Sequence, residues 1–210
     1  MLDSAGELFI EEGYAATTMG QIAERAGVAV QTLYWTFRTK GLLLREVVET
    51  AAAGEPDAPP VMERPWVHEM LSADSAQRVL ALAVEHGTDI LERVAPLWPA
   101  VIAAAAADPE LERYWQGVHE GRRGGMERIV GRIAELGALR EGLAPQRAVD
   151  VGAVILGHDV YRSLVREAGW PVTEYKAWLF ASVVRQLLAK SRISRSAYAD
   201  LSFADAIAGA

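Results

Sequence analysis

Residues 17–40 read "TTMGQIAERAGVAVQTLYWTFRTK", and this stretch decides how the rest of the chain is understood. Thr18-Met19-Gly20-Gln21 has the S/T-x-x-E/Q form of a capping box, which opens a helix running through about Arg25. Ala26-Gly27 closes it, and Gly27 can take the positive φ that a tight turn needs. A second helix is predicted from about Val30 to Phe37. Ala23 is small where the two helices cross, and Ile22, Val28, Leu33 and Phe37 supply an apolar seam. These are the demands of a helix-turn-helix. With Leu33 and Phe37 turned inward, helical rotation leaves Gln31, Thr32, Trp35 and Thr36 outward and Tyr34 near the edge. A helix about 10–12 Å wide fits the DNA major groove, where Gln pairs with adenine and Thr or aromatic carbon meets thymine methyl groups.

The signals on either side are also helical. Leu2, Ala5 and Phe9 recur at helical spacing before Gly13, which is placed to stop that helix. A further helix opens at Thr39-Lys40, carries Leu43, Leu44, Val47 and Val48, and is predicted to end near Ala53. Residues 54–65, "GEPDAPPVMERP", are proline-rich and mark a linker. Longer helices are predicted beyond it, at about 66–72, 74–94, 96–106, 109–137, 146–168 and 171–191. The expected organisation is therefore a head at 1–53, a linker at 54–65, a helical domain at 66–191 and a tail at 192–210, loose or holding one short helix. No segment alternates with period two, so the fold class is all-α.

Composition narrows the setting. A chain of 210 residues with 51% hydrophobic residues can bury a sizeable core. It has no cysteine, which rules out a disulfide framework and fits a reducing, cytoplasmic environment. No basic-then-apolar leader and no stretch of about 18 uncharged apolar residues is evident, so no membrane partner is expected. The net charge of −7 argues against a phosphate partner, but Val28 to Arg45 contains Arg38, Lys40 and Arg45 with no acid. A bound phosphate responds to that local field.

The first fifty residues resemble the DNA-binding domain of the TetR family of transcriptional regulators, through "LF", "GYAATT", "IAERAGV", "TLYWTF" and the lysine that opens the next helix. The resemblance implies an all-α homodimer: a three-helix head with a connecting helix, then a divergent ligand-binding and dimerisation domain. It implies phosphate contacts from Thr18 and Lys40, base-edge contacts from Gln31, Thr32 and Trp35, and backbone contacts from Tyr34 and Thr36. The partner would be a palindromic double-stranded operator. Three positions depart from the family pattern. The basic residues that often precede the first helix are absent, Ala29 replaces the usual Ser or Thr cap, and Val30 and Thr36 stand where Lys and His are common. Phosphate grip is thereby weakened and apolar readout of thymine favoured.

In the C-terminal half, the helices at 146–168 and 171–191 are apolar nearly all round. The resemblance supplies their cover, the same pair from a second subunit; the alternative is a core closed within the chain. His86, Asp89, Trp98, Trp115, His119, His158 and Tyr161 are candidates to line an effector cavity, each with the alternative of ordinary core or interface. The expected effector is small and apolar or aromatic, held by few polar anchors. Arg122-Arg123 reads either as an anion holder or as solvated surface, the second being favoured. No catalytic residue, metal site or cofactor is expected. His68-Glu69 and His119-Glu120 begin like a zincin motif, but Ser72 and Arg123 stand where the second histidine belongs. Two functions remain: a ligand-responsive repressor, or an α-helical small-molecule-binding protein or cryptic enzyme whose helix-turn-helix serves protein contacts.

Overall fold

A computed structural model describes residues 1–54, 58–189 and 193–208, with the side chain of Ala208 left aside. Part of the expected linker (55–57), the expected end of the last long helix (190 and 191) and tail positions 192, 209 and 210 lie outside the described residues. All regular structure among the described residues is helical, apart from one isolated antiparallel bridge between Leu139 and Leu188.

The chain forms two compact units, and packing groups residues differently from their linear order. One unit joins Met1–Ala58 to Glu92–His119; the other joins Pro59–Leu91 to Glu120–Ala210. The first contains α1 (Leu2–Glu11), α2 (Gly13–Ala16), α3 (Met19–Ala26), α4 (Val30–Phe37) and α5 (Lys40–Ala53). It also takes the last residues of α7 (Ala76–Val94), all of α8 (Trp98–Ala107) and the start of α9 (Pro109–Glu135). Residues 92–119 join the head because α5 and α2 have apolar surface left over. Gly41 of α5 admits Leu111 so closely that a Cβ would sit 3.0 Å from its Cδ1. Ala5, Leu8, Phe9, Ile22, Leu33, Leu43 and Leu44 form the buried centre of this unit. Gly13 does take φ +80°, and the Thr17 hydroxyl, fully buried, donates to the Gly13 and Leu8 carbonyls at 2.8 and 3.2 Å.

The second unit contains α6 (Pro65–Ser72), the rest of α7 and α9, α10 (Pro145–Ile155), α11 (His158–Tyr161), α12 (Val172–Leu187) and α13 (Ala204–Ala208). The helix expected over 146–168 is interrupted. It stops at Ile155, turns at Leu156-Gly157, resumes as α11 and widens into a π-helical turn at Arg162–Glu167. The last long helix ends at Leu187 and not beyond, because Arg140 donates its N–H to the Leu187 carbonyl (2.8 Å) and Ala189 donates to Ala138 (3.0 Å).

The tail is packed. Tyr198 and Phe203 are buried against Phe180, with ring centroids 5.6 and 5.7 Å away. Arg78 holds Asp200 through both guanidinium ends at 2.6 and 2.9 Å and Glu69 at 2.6 Å. Lys176, buried on α12, meets Asp89 at 2.7 Å, Glu85 at 3.1 Å and the Ser202 hydroxyl at 3.0 Å. Much of the apolar surface of α12 that sequence reading assigned to a partner subunit is therefore covered within the chain; Leu187 is fully buried.

One segment, Ala76–Ala107, is long and apolar enough by composition to cross a membrane, with a mean hydropathy of 1.4. A 3₁₀ turn at Ala95–Leu97 divides it into α7 and α8, and both helices bury core residues such as Val79, Leu80, Ala100 and Val101.

Candidate nucleic-acid interface

Local chemistry sets the geometry of α3 and α4. Thr18 caps α3 with both halves of the box formed: its hydroxyl oxygen accepts the Gln21 N–H at 3.2 Å, and Gln21 Oε1 accepts the Thr18 N–H at 2.8 Å. At the other end Gly27 sits at φ +67°, and the Val28 and Gly27 N–H groups donate back to Ala23 (3.0 Å) and Glu24 (3.2 Å). That is the Schellman arrangement, which closes the helix and turns the chain into α4. Ala29 caps α4 with no side-chain hydrogen bond.

Only Leu33 of α4 is buried. Gln31, Thr32, Tyr34, Trp35 and Thr36 are exposed, Trp35 at 88% and Tyr34 at 52%. A tryptophan this exposed, flanked by small polar groups on a helix pinned by one leucine, forms an outward face without a counterpart in the protein's own core. Thr36 donates its hydroxyl to the Thr32 carbonyl at 2.9 Å, so its polar group already serves the helix.

Lys40 has a structural role that its sequence position did not disclose. Its ammonium donates to the carbonyls of Tyr14 (2.6 Å) and Thr17 (2.8 Å) and lies 4.2 Å from the centre of the Tyr14 ring. Burial lowers its pKa from the ordinary lysine value. Two of its three donors therefore tie the start of α5 to the end of α2.

Arg38, which sequence reading did not include among the candidate site residues, closes α4 with an unusual turn. It adopts φ +62°, ψ −51°, and the Thr39 N–H closes on the Phe37 carbonyl at 2.6 Å, forming a γ-turn of the rare positive-φ kind. It is exposed and has no ion-pair partner among the described residues. The other nearby arginines are engaged. Arg25 pairs with Glu11 at 2.8 Å, and Arg45 pairs with Glu49 at 2.9 Å while lying 5.1 Å over Tyr114. Nothing in the local sequence signals the γ-turn, since any residue between Phe37 and the Thr39 cap would be read as loop.

Residues 1–47 match the profile of the bacterial regulatory proteins of the tetR family, which covers the capping box, the Gly27 turn and the exposed face. Residues 1–47 are a tetR-type regulatory head. This tetR head is 41% identical over 49 residues to the HTH-type transcriptional regulator AcrR of Shigella flexneri, a match spanning 23% of each chain. An uncharacterised HTH-type regulator of Bacillus subtilis, YdeS, is 26% identical over 167 residues, covering 79% of this chain and 77% of that one. The fold is shared with SmeT of Stenotrophomonas maltophilia, described as the repressor of a multidrug efflux pump, at a TM-score of 0.62 and 23% identity over 89% of this chain and 88% of SmeT. The chain is thus an all-α DNA-binding transcriptional regulator, with a tetR-type helix-turn-helix at its N-terminus and a C-terminal helical part.

The candidate effector residues of this regulator fall into separate places. In the first unit, Trp98 and Trp115 meet edge-on at 4.1 Å, and Trp115 meets His119 at 4.9 Å. In the second, His86 stacks on Trp66 at 4.8 Å, Asp89 is engaged by Lys176, and Tyr161 meets Tyr175 edge-on at 5.4 Å. His158 lies against Arg122, at 3.3 Å from its Nδ1. Arg122 and Tyr175 are the residues of that last cluster that sequence reading had not placed there.

Proposed function

We propose that the protein is a repressor that grips a palindromic operator as a homodimer and is released by a small organic effector. The observation that carries this reading is the exposed face of α4. Gln31, Thr32 and Trp35 face base edges, Tyr34 and Thr36 lie along the backbone, and Thr18, Lys40 and Arg38 meet phosphates. Such a protein acts in the cytoplasm and performs no catalysis.

Dimerisation uses the apolar positions that the chain itself leaves uncovered on its late helices, above all Val154 (70% exposed) and Trp178 (39% exposed). SmeT, whose fold this chain shares, is known as a triclosan complex as well, which supports an apolar or aromatic body for the effector here. The signal reaches the head through Arg93, in the last turn of α7, which grips the end of α5.

The test is binding of the full chain to duplexes tiled across the DNA upstream of its own coding sequence. A palindromic site bound by two copies is expected. Gln31→Ala should relax base preference by about 1–3 kcal/mol at one position per half-site. Trp178→Glu with Val154→Glu should give monomers that lose the operator. Uniform weakening by Gln31→Ala, with sequence preference unchanged, would remove Gln31 from the reading set. A doubly substituted protein that stays dimeric would put the interface elsewhere.

A further inference from the structure

The adjacent arginines Arg122 and Arg123 have opposite fates. Arg123 is a surface group, paired with Asp150 at 3.0 Å and Glu127 at 3.6 Å. Arg122 is partly buried in the second unit, and no carboxylate among the described residues lies within ion-pair distance of it. Its N–H groups go instead to two neutral acceptors, His158 Nδ1 at 3.3 Å and the Leu156 carbonyl at 3.2 Å. Burial lowers its pKa, the field of Asp159 opposing this. A withdrawn guanidinium without a counter-ion is costly.

The backbone is built around this group. The interruption after Ile155 frees the Leu156 carbonyl from helix bonding, so that Arg122 can take it. Gly157 is required there, because a Cβ would lie 2.9 Å from the Val154 carbonyl oxygen and 3.0 Å from that of Ala153. His158 is oriented in turn. Its Nδ1 receives the arginine N–H and so carries no proton, and its Nε2–H faces Asp159 Oδ1 at 3.2 Å. After α11 comes the π-helical turn, a form that recurs at functional sites.

A second group in the same place points to a ligand. The Tyr175 ring is fully buried, and its hydroxyl has no hydrogen-bond partner among the described residues. Burial holds its proton on, and so does Tyr161, whereas the Arg122 charge, close enough to be felt, acts the other way. A cation short of an anion and a hydroxyl short of an acceptor thus lie against the two ends of the four-residue α11, Arg122 on His158 and the Tyr175 ring on Tyr161.

We propose that Arg122 and Tyr175 form an oxyanion subsite, and that the effector is an organic carboxylic acid with an aromatic or aliphatic body. The carboxylate takes the remaining guanidinium N–H groups, and the Tyr175 hydroxyl donates to one of its oxygens. His158 is a positioning residue that holds the guanidinium in plane. The inference rests on the reading of this part of the protein as an effector domain, and it adds a charged end to the apolar or aromatic effector expected from sequence.

The test uses the full chain and two series of matched probes: straight-chain acids from hexanoate to tetradecanoate with their amides, and phenylacetate to phenylbutyrate with theirs. Dissociation constants come from calorimetry. The best carboxylate is expected to bind at least about tenfold tighter than its amide, and Arg122→Gln to abolish that difference while leaving the amide unchanged. Tyr175→Phe should raise the melting temperature of the unliganded protein and weaken the carboxylate several-fold, and it carries the test if Arg122→Gln fails to fold. Acids that bind no better than their amides throughout both series, or a Tyr175→Phe protein with unchanged acid affinity, would overturn the subsite. Operator release is measured separately. An acid that binds through Arg122 yet leaves the operator complex intact would sink the repressor reading and leave the subsite standing.

Discussion

Arg93 lies so close to Gly54 that a Cβ on the glycine would sit 2.9 Å from the Arg93 Nε. The same guanidinium donates to the carbonyls of Ala51 (2.9 Å) and Ala52 (3.1 Å), the open C-terminal end of α5. A cation at this end is favoured by the helix dipole as well as by the hydrogen bonds. Gly54 holds φ +82°. Gly54→Ala meets both an unfavourable backbone region and the arginine, so it should destabilise the protein by about 1–3 kcal/mol. Urea unfolding measures this. A Gly54→Ala protein as stable as wild type would mean that α5 can end elsewhere without penalty.

Arg38 separates strain from charge. Its positive-φ turn stores about 1–3 kcal/mol, more than the roughly 0.4–1 kcal/mol that glycine adds to the freedom of the unfolded chain. Arg38→Gly should therefore raise the melting temperature, whereas Arg38→Ala should not. Both should reduce the salt dependence of operator binding by about one unit if the guanidinium meets a phosphate. Unchanged slopes would remove Arg38 from the interface.

For Lys40, the bonds to Tyr14 and Thr17 make stability the first readout. Lys40→Met leaves two buried-side carbonyls without a charged donor, worth about 1.5–3 kcal/mol. The variant should unfold earlier and also bind all duplexes more weakly. Loss of DNA affinity with no change in thermal midpoint would show that the carbonyl contacts contribute nothing to the head.

His86 gives a pH signature. Burial lowers its pKa, opposed by Asp89 and Glu85 and aided by Lys176, with Glu69 a weaker opposing field. The unfolded chain protonates first, near pH 6.5. The contribution of His86 is therefore fully present above about that value and is lost as pH falls through the lower folded value. His86→Phe keeps an aromatic ring against Trp66 and should flatten the fall in stability between pH 7 and pH 5. A slope identical to wild type would place the responsible group elsewhere.

The tail supplies a further check. Ending the chain after Ala189 removes Tyr198 and Phe203 from Phe180, and Asp200 and Ser202 from Arg78 and Lys176. Two buried aromatics alone are worth about 3–5 kcal/mol each when truncated to Ala. The shortened protein should unfold well below wild type or fail to accumulate. A stable truncated chain would mean that the tail is not part of the core.

Where each part of the protein could be read followed from the range of the forces that shape it. The α3–α4 unit was legible because its determinants lie within a few residues of each other: Thr18 and Gln21 satisfy one another's N–H groups, Gly27 takes the left-handed turn, and Leu33 is the inward residue among exposed neighbours. The same locality made Gln31, Thr32, Tyr34 and Trp35 readable as an outward face. Tertiary structure decided what depends on partners far along the chain. The uniform apolarity of residues 146–168 carried no sign that Gly157 would break the helix, because the break is secured by Arg122, thirty-odd positions earlier. The packed tail depends on Phe180 and Arg78, and the double duty of Lys40 on carbonyls that only the folded α2 presents. By itself, the sequence determined most of the helices and the helix-turn-helix head with its outward face. Only the fold decided which charges are withdrawn from water, since burial belongs to the three-dimensional neighbourhood and Arg122 and Arg123 are alike until it forms.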